Sequence, residues 1–234
     1  MLRQAQHDNL SFTRKAMPSY TEENYLKAIY KLSEAEPGME VSTNRIAEVL
    51  QTRAASVTDM LRRLGEKGLL HYQRYRGVSL THEGRKLALL TIRKHRLWEV
   101  FLVQKLGFNW DEVHDVAEEM EHLQSPLLIT RLDEFLGFPQ IDPHGDPIPT
   151  EDGAMRQPQN RLLADLNLRD CGTLVAVRNT SPSFLQYLDK AGLGLGTYIE
   201  VLDKAAFDNS LEIKVNNQRN TLISAEVSRN LFVA

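Results

Sequence analysis

Apolar side chains recur along this chain in two rhythms, and the change of rhythm divides it. From Ser19 to Leu32, the residues Tyr25, Leu26, Ile29, Tyr30 and Leu32 return at helical spacing, with Ser19 or Thr21 available as the cap. Pro37 and Gly38 break that run. A second helix is predicted after Ser42, with Ile46, Ala47, Val49 and Leu50 inward, and a third carries the stripe Val57, Met60, Leu61 and Leu64. The third ends around Gly65 to Gly68. There LLHYQRYRGVSLT, with its Arg74–Gly77 step, reads as a β-hairpin. Three short helices followed by a hairpin are the layout of a winged helix-turn-helix.

Thr81 is placed to cap a long helix through about Leu106, where Gly107 stops it. Two more helices are predicted over 111–124 and 127–136. Residues 139–159 are rich in Pro, Gly and Asp without any period, which predicts a linker or an irregular lid. Beyond Asn160 the rhythm shortens to two: TLVAVRN, TYIEVLD and LEIKVNN alternate like half-buried strands, with a short helix over Ser183–Lys190. A small β-barrel is the economical reading of that part. The expected fold is mainly α with a small β domain: a mobile tail over 1–17, a winged helix-turn-helix over 18–80, a helical domain over 81–138, the linker, and the β module over 160–234.

Composition narrows the class. The 234 residues exceed one usual compact module, and 42% hydrophobic with 25% charged residues is the balance of a soluble protein. An apolar run of about 18 residues is missing, so no membrane partner is expected. The start, MLRQAQHDNLSFTRKAM, lacks the apolar centre of a secretory signal. The single cysteine, Cys171, fits a reducing cytoplasm and is expected to pack in a core.

A net charge of −3 decides little, but its distribution does. Between Arg53 and Lys86 stand eight basic residues (Arg53, Arg62, Arg63, Lys67, Arg74, Arg76, Arg85, Lys86) against three acids, Asp59, Glu66 and Glu83. Neutralising phosphates releases condensed counterions, which rewards such a local excess. The third helix should offer Arg53, Ala55, Ser56, Thr58 and Asp59 at its exposed start, small enough to let a helix enter a major groove. Arg62, Arg63 and the wing residues Arg74, Tyr75 and Arg76 are placed for backbone contact. An ordinary solvated basic face is the plain alternative. Joined to the helix–turn–helix–hairpin pattern, the charges favour double-stranded DNA as partner.

The second chemical signal is DEVHDVAEEMEH, residues 111–122, with six carboxylates and neither Lys nor Arg. On a helix His114, Glu118, Glu121 and His122 share one face, and one helix earlier His95 and Glu99 are spaced i, i+4. Such a cluster repels itself when empty. Imidazole with carboxylate suits Mn²⁺, Fe²⁺ or Zn²⁺ rather than thiophilic ions. A hydrated acidic helix is the competing reading, and a winged-helix regulator answering a non-metal signal is the functional form of it. A metallohydrolase is the lesser alternative, since Glu121-His122 is not the H-E-x-x-H arrangement and no G-x-S-x-G, P-loop or dinucleotide fingerprint is present.

EENYLKAIY, the winged helix, YRGVSLTHEGRKLA, RKHRLWEVFL and VHDVAEEMEHLQS, in that order, resemble the diphtheria toxin repressor family of iron- and manganese-dependent regulators. The likeness spans about residues 19–145, and PHGDPIP is similar to the family's linker before a C-terminal SH3-like domain. The resemblance implies a repressor of metal-uptake genes that is not an enzyme and binds operator DNA as a homodimer. It matches His95, Glu99 and His114 to family metal positions, and Glu118, Glu121 and His122 to the central site. Glu118 stands where iron-responsive members place cysteine and manganese-responsive members glutamate, so a hard carboxylate favours Mn²⁺, with Fe²⁺ the alternative. Asn24 falls where the first helix supplies methionine or aspartate. Lys27 falls where some manganese sensors present glutamate, and Thr180 and Ser183 where iron-type members supply ligands. Metal would tie the first helix to the 81–124 helices and set the two winged helices at operator spacing. Trp98, Phe101, Leu102, Leu127, Leu128 and Leu132 would supply the dimer interface, or else only an intrachain core.

Overall fold

A computed structural model describes residues 18–73 and 77–234. The chain divides into two compact units, residues up to Thr91 and Ile92–Ala234. The tail over 1–17 and the wing residues Arg74, Tyr75 and Arg76 lie outside the described residues.

In the first unit α1 (Tyr20–Ala35) opens on a capping box: Ser19 Oγ accepts from the Glu22 amide, and the Glu22 carboxylate accepts from the Ser19 amide. Ser42 caps α2 (Thr43–Val49) in the same way at one end. The next helix, α3 (Ala54–Glu66), buries Val57, Met60, Leu61 and Leu64, the stripe its spacing predicts. Strands β1 (Leu70–Gln73) and β2 (Gly77–Leu80) pair antiparallel, and Val41 adds a bridge to Val78. Lys67, at the end of α3, holds the buried Glu22 of α1 at 2.5 Å. Burial alone would raise the Glu22 carboxyl; the Lys67 ammonium and the Ser19 amide outweigh it and hold it below the ordinary range. Helix α4 (His82–Leu106) begins where Thr81 Oγ1 accepts from the Gly84 amide. Gly84 permits this close approach, since a Cβ there would lie 2.0 Å from the Leu69 carbonyl oxygen.

In the second unit the rest of α4 packs with α5 (Val113–Met120) and α6 (Pro126–Phe135) around Leu97, Trp98, Val100, Leu102, Val113, Ala117, Leu132 and Ile148. Further on come β3 (Arg161–Leu162), β4 (Cys171–Val177), α7 (Pro182–Ala191), β5 (Tyr198–Lys204), β6 (Leu211–Val215), β7 (Arg219–Ile223), α8 (Ala225–Ser228) and β8 (Leu231–Val233). They form an antiparallel sheet in the order β3-β8-β4-β5-β6-β7 with α7 on its core. Where a closed barrel was expected, the pairings describe a sheet with edges at β3 and β7. No described helix is long and apolar enough to cross a membrane.

Three expectations need correction. The segment 139–159 is more than a linker, because Asp142, His144 and Ile148 are buried. Arg93 donates to the Pro149 carbonyl at 2.6 Å, and Arg96 meets Asp142 and Asp146 at 3.3 and 2.7 Å. Gly145, at φ +88°, fits where a Cβ would strike the Val175 carbonyl, and His144 O accepts from the Val177 amide. These polar side chains replace the apolar period that marks a packed element, so periodicity misses the segment. Cys171 is exposed, because it starts β4 on the face opposite Gly172 and Leu174. Of the proposed dimer residues, Trp98, Leu102 and Leu132 are covered by the chain's own helical core, whereas Leu127 and Leu128 are 68% and 39% exposed.

Candidate metal centre

Helix α4 places His95 and Glu99 one turn apart and turned inward, with side chains only 9% and 3% exposed. Helix α5 brings His114 and Glu118 alongside, and its C-cap, Glu121, is completely buried. The ordered segment after α6 adds Asp142 and His144, which the sequence reading missed. Among the described residues, three groups of side chains bring ligand atoms within 4.8 Å of one another: His95, Glu99 and His114; His95, Glu118 and Glu121; and Glu99, Asp142 and His144. His95 and Glu99 each belong to two of them, so the three form one continuous patch.

The imidazole of His95 sits between two acids. Its Nε2 is 3.0 Å from Glu99 Oε1 and its Nδ1 is 2.7 Å from Glu121 Oε2. That approach to Glu121 is an ion-pair contact, and it leaves the buried Nδ1 without a hydrogen bond. A neutral imidazole offers one donor and cannot serve two carboxylates. Burial pushes the ring toward the neutral form, but the charges of Glu121 and Glu99 prevail and raise its pKa. Glu99 is also 3.6 Å from His114 Nδ1 and 3.8 Å from His144 Nδ1. Burial would raise Glu99, yet the three imidazoles hold it well below the usual carboxylate range. His144 is pushed up to about 9: burial opposes its charge, and Glu99 and Asp142 overcome that. Asp142 is raised to about 7 by burial, then by Asp146 and Glu99, against the pull of Arg96 and His144.

Buried acids and imidazoles crowded together form a hard, anionic donor set that a dication fits. His95 Nδ1, close to Glu121 yet without a hydrogen bond, is a buried ligand atom that an ion can use. The C-terminus of α5 adds its own partial negative charge beside Glu118 and Glu121, which again favours a cation. His122 stands at the rim, with Nε2 3.4 Å from Glu121 Oε1, outside the three groups. Asn24 is half-buried on α1 and belongs to the first unit.

The other predicted surface is also defined. Arg53, Ala55, Ser56, Thr58, Asp59, Arg62 and Arg63 are all exposed, opposite the buried stripe of α3. No side chain caps the start of that helix, so its first amides remain available to an anion.

Three domain families match the chain: the iron-dependent repressor N-terminal DNA-binding domain over residues 17–78, the iron-dependent repressor metal-binding and dimerisation domain over 81–150, and the FeoA domain over 161–234. The diphtheria toxin repressor of Corynebacterium glutamicum is 32% identical over 195 residues, 79% of this chain and 84% of that protein. The chain belongs to the diphtheria toxin repressor family. The iron-dependent repressor IdeR of Mycobacterium tuberculosis is 40% identical over 129 residues, a match that spans 55% of each protein. Among solved structures, a manganese-dependent transcriptional repressor in complex with manganese superposes with TM-score 0.81 at 36% identity, covering 91% of this chain and 99% of that one. The manganese regulator SloR gives 0.72 at 31%, covering 91% and 97%. These relatives of the family are metal-dependent repressors, some named for iron and some for manganese.

Proposed function

We propose that this chain is a transcriptional repressor that binds operator DNA as a homodimer when loaded with Mn²⁺, with Fe²⁺ the alternative ion, and that it controls metal uptake from the cytoplasm. The observation that carries the reading is the buried patch around His95, whose Nδ1 meets Glu121 without a hydrogen bond in a nest of carboxylates. It sits in a chain that also exposes a basic helix start. His95, Glu99, His114, Glu118 and Glu121 would hold the ion, with Asp142 and His144 beside Glu99 and His122 at the rim; a role for Asn24 is part of the same reading. A dication there would supply the positive charge that the acids otherwise draw from imidazolium. Glu118 supplies an oxygen where a thiolate would favour softer ions, which supports manganese. With their charge balanced, these side chains order α4 and α5 and so select the DNA-binding state.

On the DNA side, Arg62, Arg63, Arg53 and the wing residues Arg74, Tyr75 and Arg76 take the phosphates. Ala55, Ser56, Thr58 and Asp59 face base edges. Substituting Arg62 or Arg63 by alanine is expected to lower the slope of log affinity against log salt by about 0.9 each, read from binding isotherms over a salt series. The dimer interface is assigned to Leu127 and Leu128 with Phe101 and the exposed Phe135. Trp98, Leu102 and Leu132 support them from the core. Leu127→Asp is expected to give a monomer by sedimentation while keeping the helical content of the unaltered chain. The C-terminal sheet is read as SH3-like.

Duplexes enriched from genomic DNA by the Mn²⁺-loaded chain provide the test. Their binding should be lost in chelator and restored by Mn²⁺ or Fe²⁺ at fixed salt. Equal binding in chelator would refute metal sensing.

A further inference from the structure

His144 enters the metal patch from a loop, and a loop imidazole needs something to hold its ring. Its Nε2 stands 2.8 Å from the backbone carbonyl oxygen of Trp110. A carbonyl only accepts, so Nε2 carries the ring proton, and in the neutral ring the lone pair lies on Nδ1. Nδ1 is the atom that faces Glu99. The Trp110 ring lies over the same imidazole, with centroids 6.2 Å apart and planes 19° from parallel.

Trp110 is equally bound to the C-terminal sheet. Its indole Nε1 donates to both oxygens of Asp189, each at 3.1 Å, and its ring packs against the sheet's apolar core. Beside it, Gln186 Nε2 donates to Asp111 Oδ2 at 2.8 Å. Gln186 and Asp189 lie one turn apart on α7. The loop between α4 and α5 is therefore pinned to α7 by two polar contacts at neighbouring residues, and the carbonyl that orients His144 belongs to that loop.

We propose that Trp110 is a positioning residue of the metal centre: it fixes His144 as an Nδ1 ligand and makes that ligation depend on the seating of the C-terminal sheet against Asp189 and Gln186. This rests on the metal-sensing reading above. Outer partners that orient a ligating histidine commonly change metal affinity 10–100-fold. Coupling between two binding events is reciprocal, so a cation held by Glu99 and His144 tightens the α7 contact as much as that contact tightens the cation.

The test uses the full chain, with Mn²⁺ alone as the probe in calorimetry and Zn²⁺ alone as a diamagnetic probe in NMR of ¹⁵N-histidine-labelled protein. Failure of the unaltered chain to bind Mn²⁺ would overturn the metal-sensing reading and this inference with it. Where it binds, Trp110→Ala is expected to weaken Mn²⁺ roughly tenfold. Asp189→Ala, at an exposed position, weakens it in the same direction and decides the matter if Trp110→Ala does not fold. In the Zn²⁺-loaded chain, the signals of His144, assigned by their loss in His144→Gln, should show a protected Nε2–H. That protection should be lost in both variants. Variants that melt at lower temperature yet keep both Mn²⁺ affinity and the His144 signals would show that Trp110 only packs. That result would overturn the inference and leave the metal-sensing reading intact.

Discussion

Replacing Glu121 by alanine is expected to abolish the response to metal. Glu121 is fully buried, 2.7 Å from His95 Nδ1 and 3.4 Å from His122 Nε2. Its loss should weaken Mn²⁺ by at least the roughly 10–100-fold that the loss of an outer partner costs. DNA retention should stay at its metal-free level. Removing the acid also takes one of two carboxylate partners from the buried His95 ring, so the metal-free variant should stay folded but melt below the parent. Calorimetry with Mn²⁺ and melting in chelator measure the two halves separately. A variant that binds Mn²⁺ like the parent would show that the acid is only structural.

The second large effect is expected at Asp133. Its carboxylate meets Arg93 at 2.5 Å with both side chains only 12% exposed, and Arg93 also donates to the Pro149 carbonyl. This pair ties α6 and the 142–149 segment to α4. Breaking a buried pair by removing one partner costs about 3–5 kcal/mol, because the remaining charge stays desolvated. Asp133→Ala should therefore lower the melting temperature by on the order of 10 °C. Asp133→Asn, which keeps an acceptor, should recover part of that loss. Unchanged melting would mean that the guanidinium finds water once the acid is gone.

Much of this was legible in the residues. The stripe Val57, Met60, Leu61 and Leu64 has one helical reading, and burying it necessarily exposes Arg53, Ser56, Arg62 and Arg63. His95 with Glu99, and His114 with Glu118, were legible because both pairs obey the i, i+4 rule. What periodicity cannot carry is a contact made from an irregular segment. Asp142 and His144 reach Glu99 through a turn held by Arg96 and Gly145. The only sequence signal was two ligand-type residues beside a glycine in an otherwise aperiodic stretch. Trp98, Leu102 and Leu132 illustrate the reverse error. An apolar position on an amphipathic helix does not say which neighbour covers it, and here the same chain does. Sheet closure is a property of strand register and edges, which alternation alone leaves open.

Anomalous diffraction from crystals of the full chain grown with Mn²⁺ tests the central claim most directly. The account predicts manganese peaks among the side chains of His95, Glu99, His114, Glu118 and Glu121, with His95 Nδ1 turned to the ion. Those side chains splayed apart with no peak between them, in crystals saturated with Mn²⁺, would contradict it.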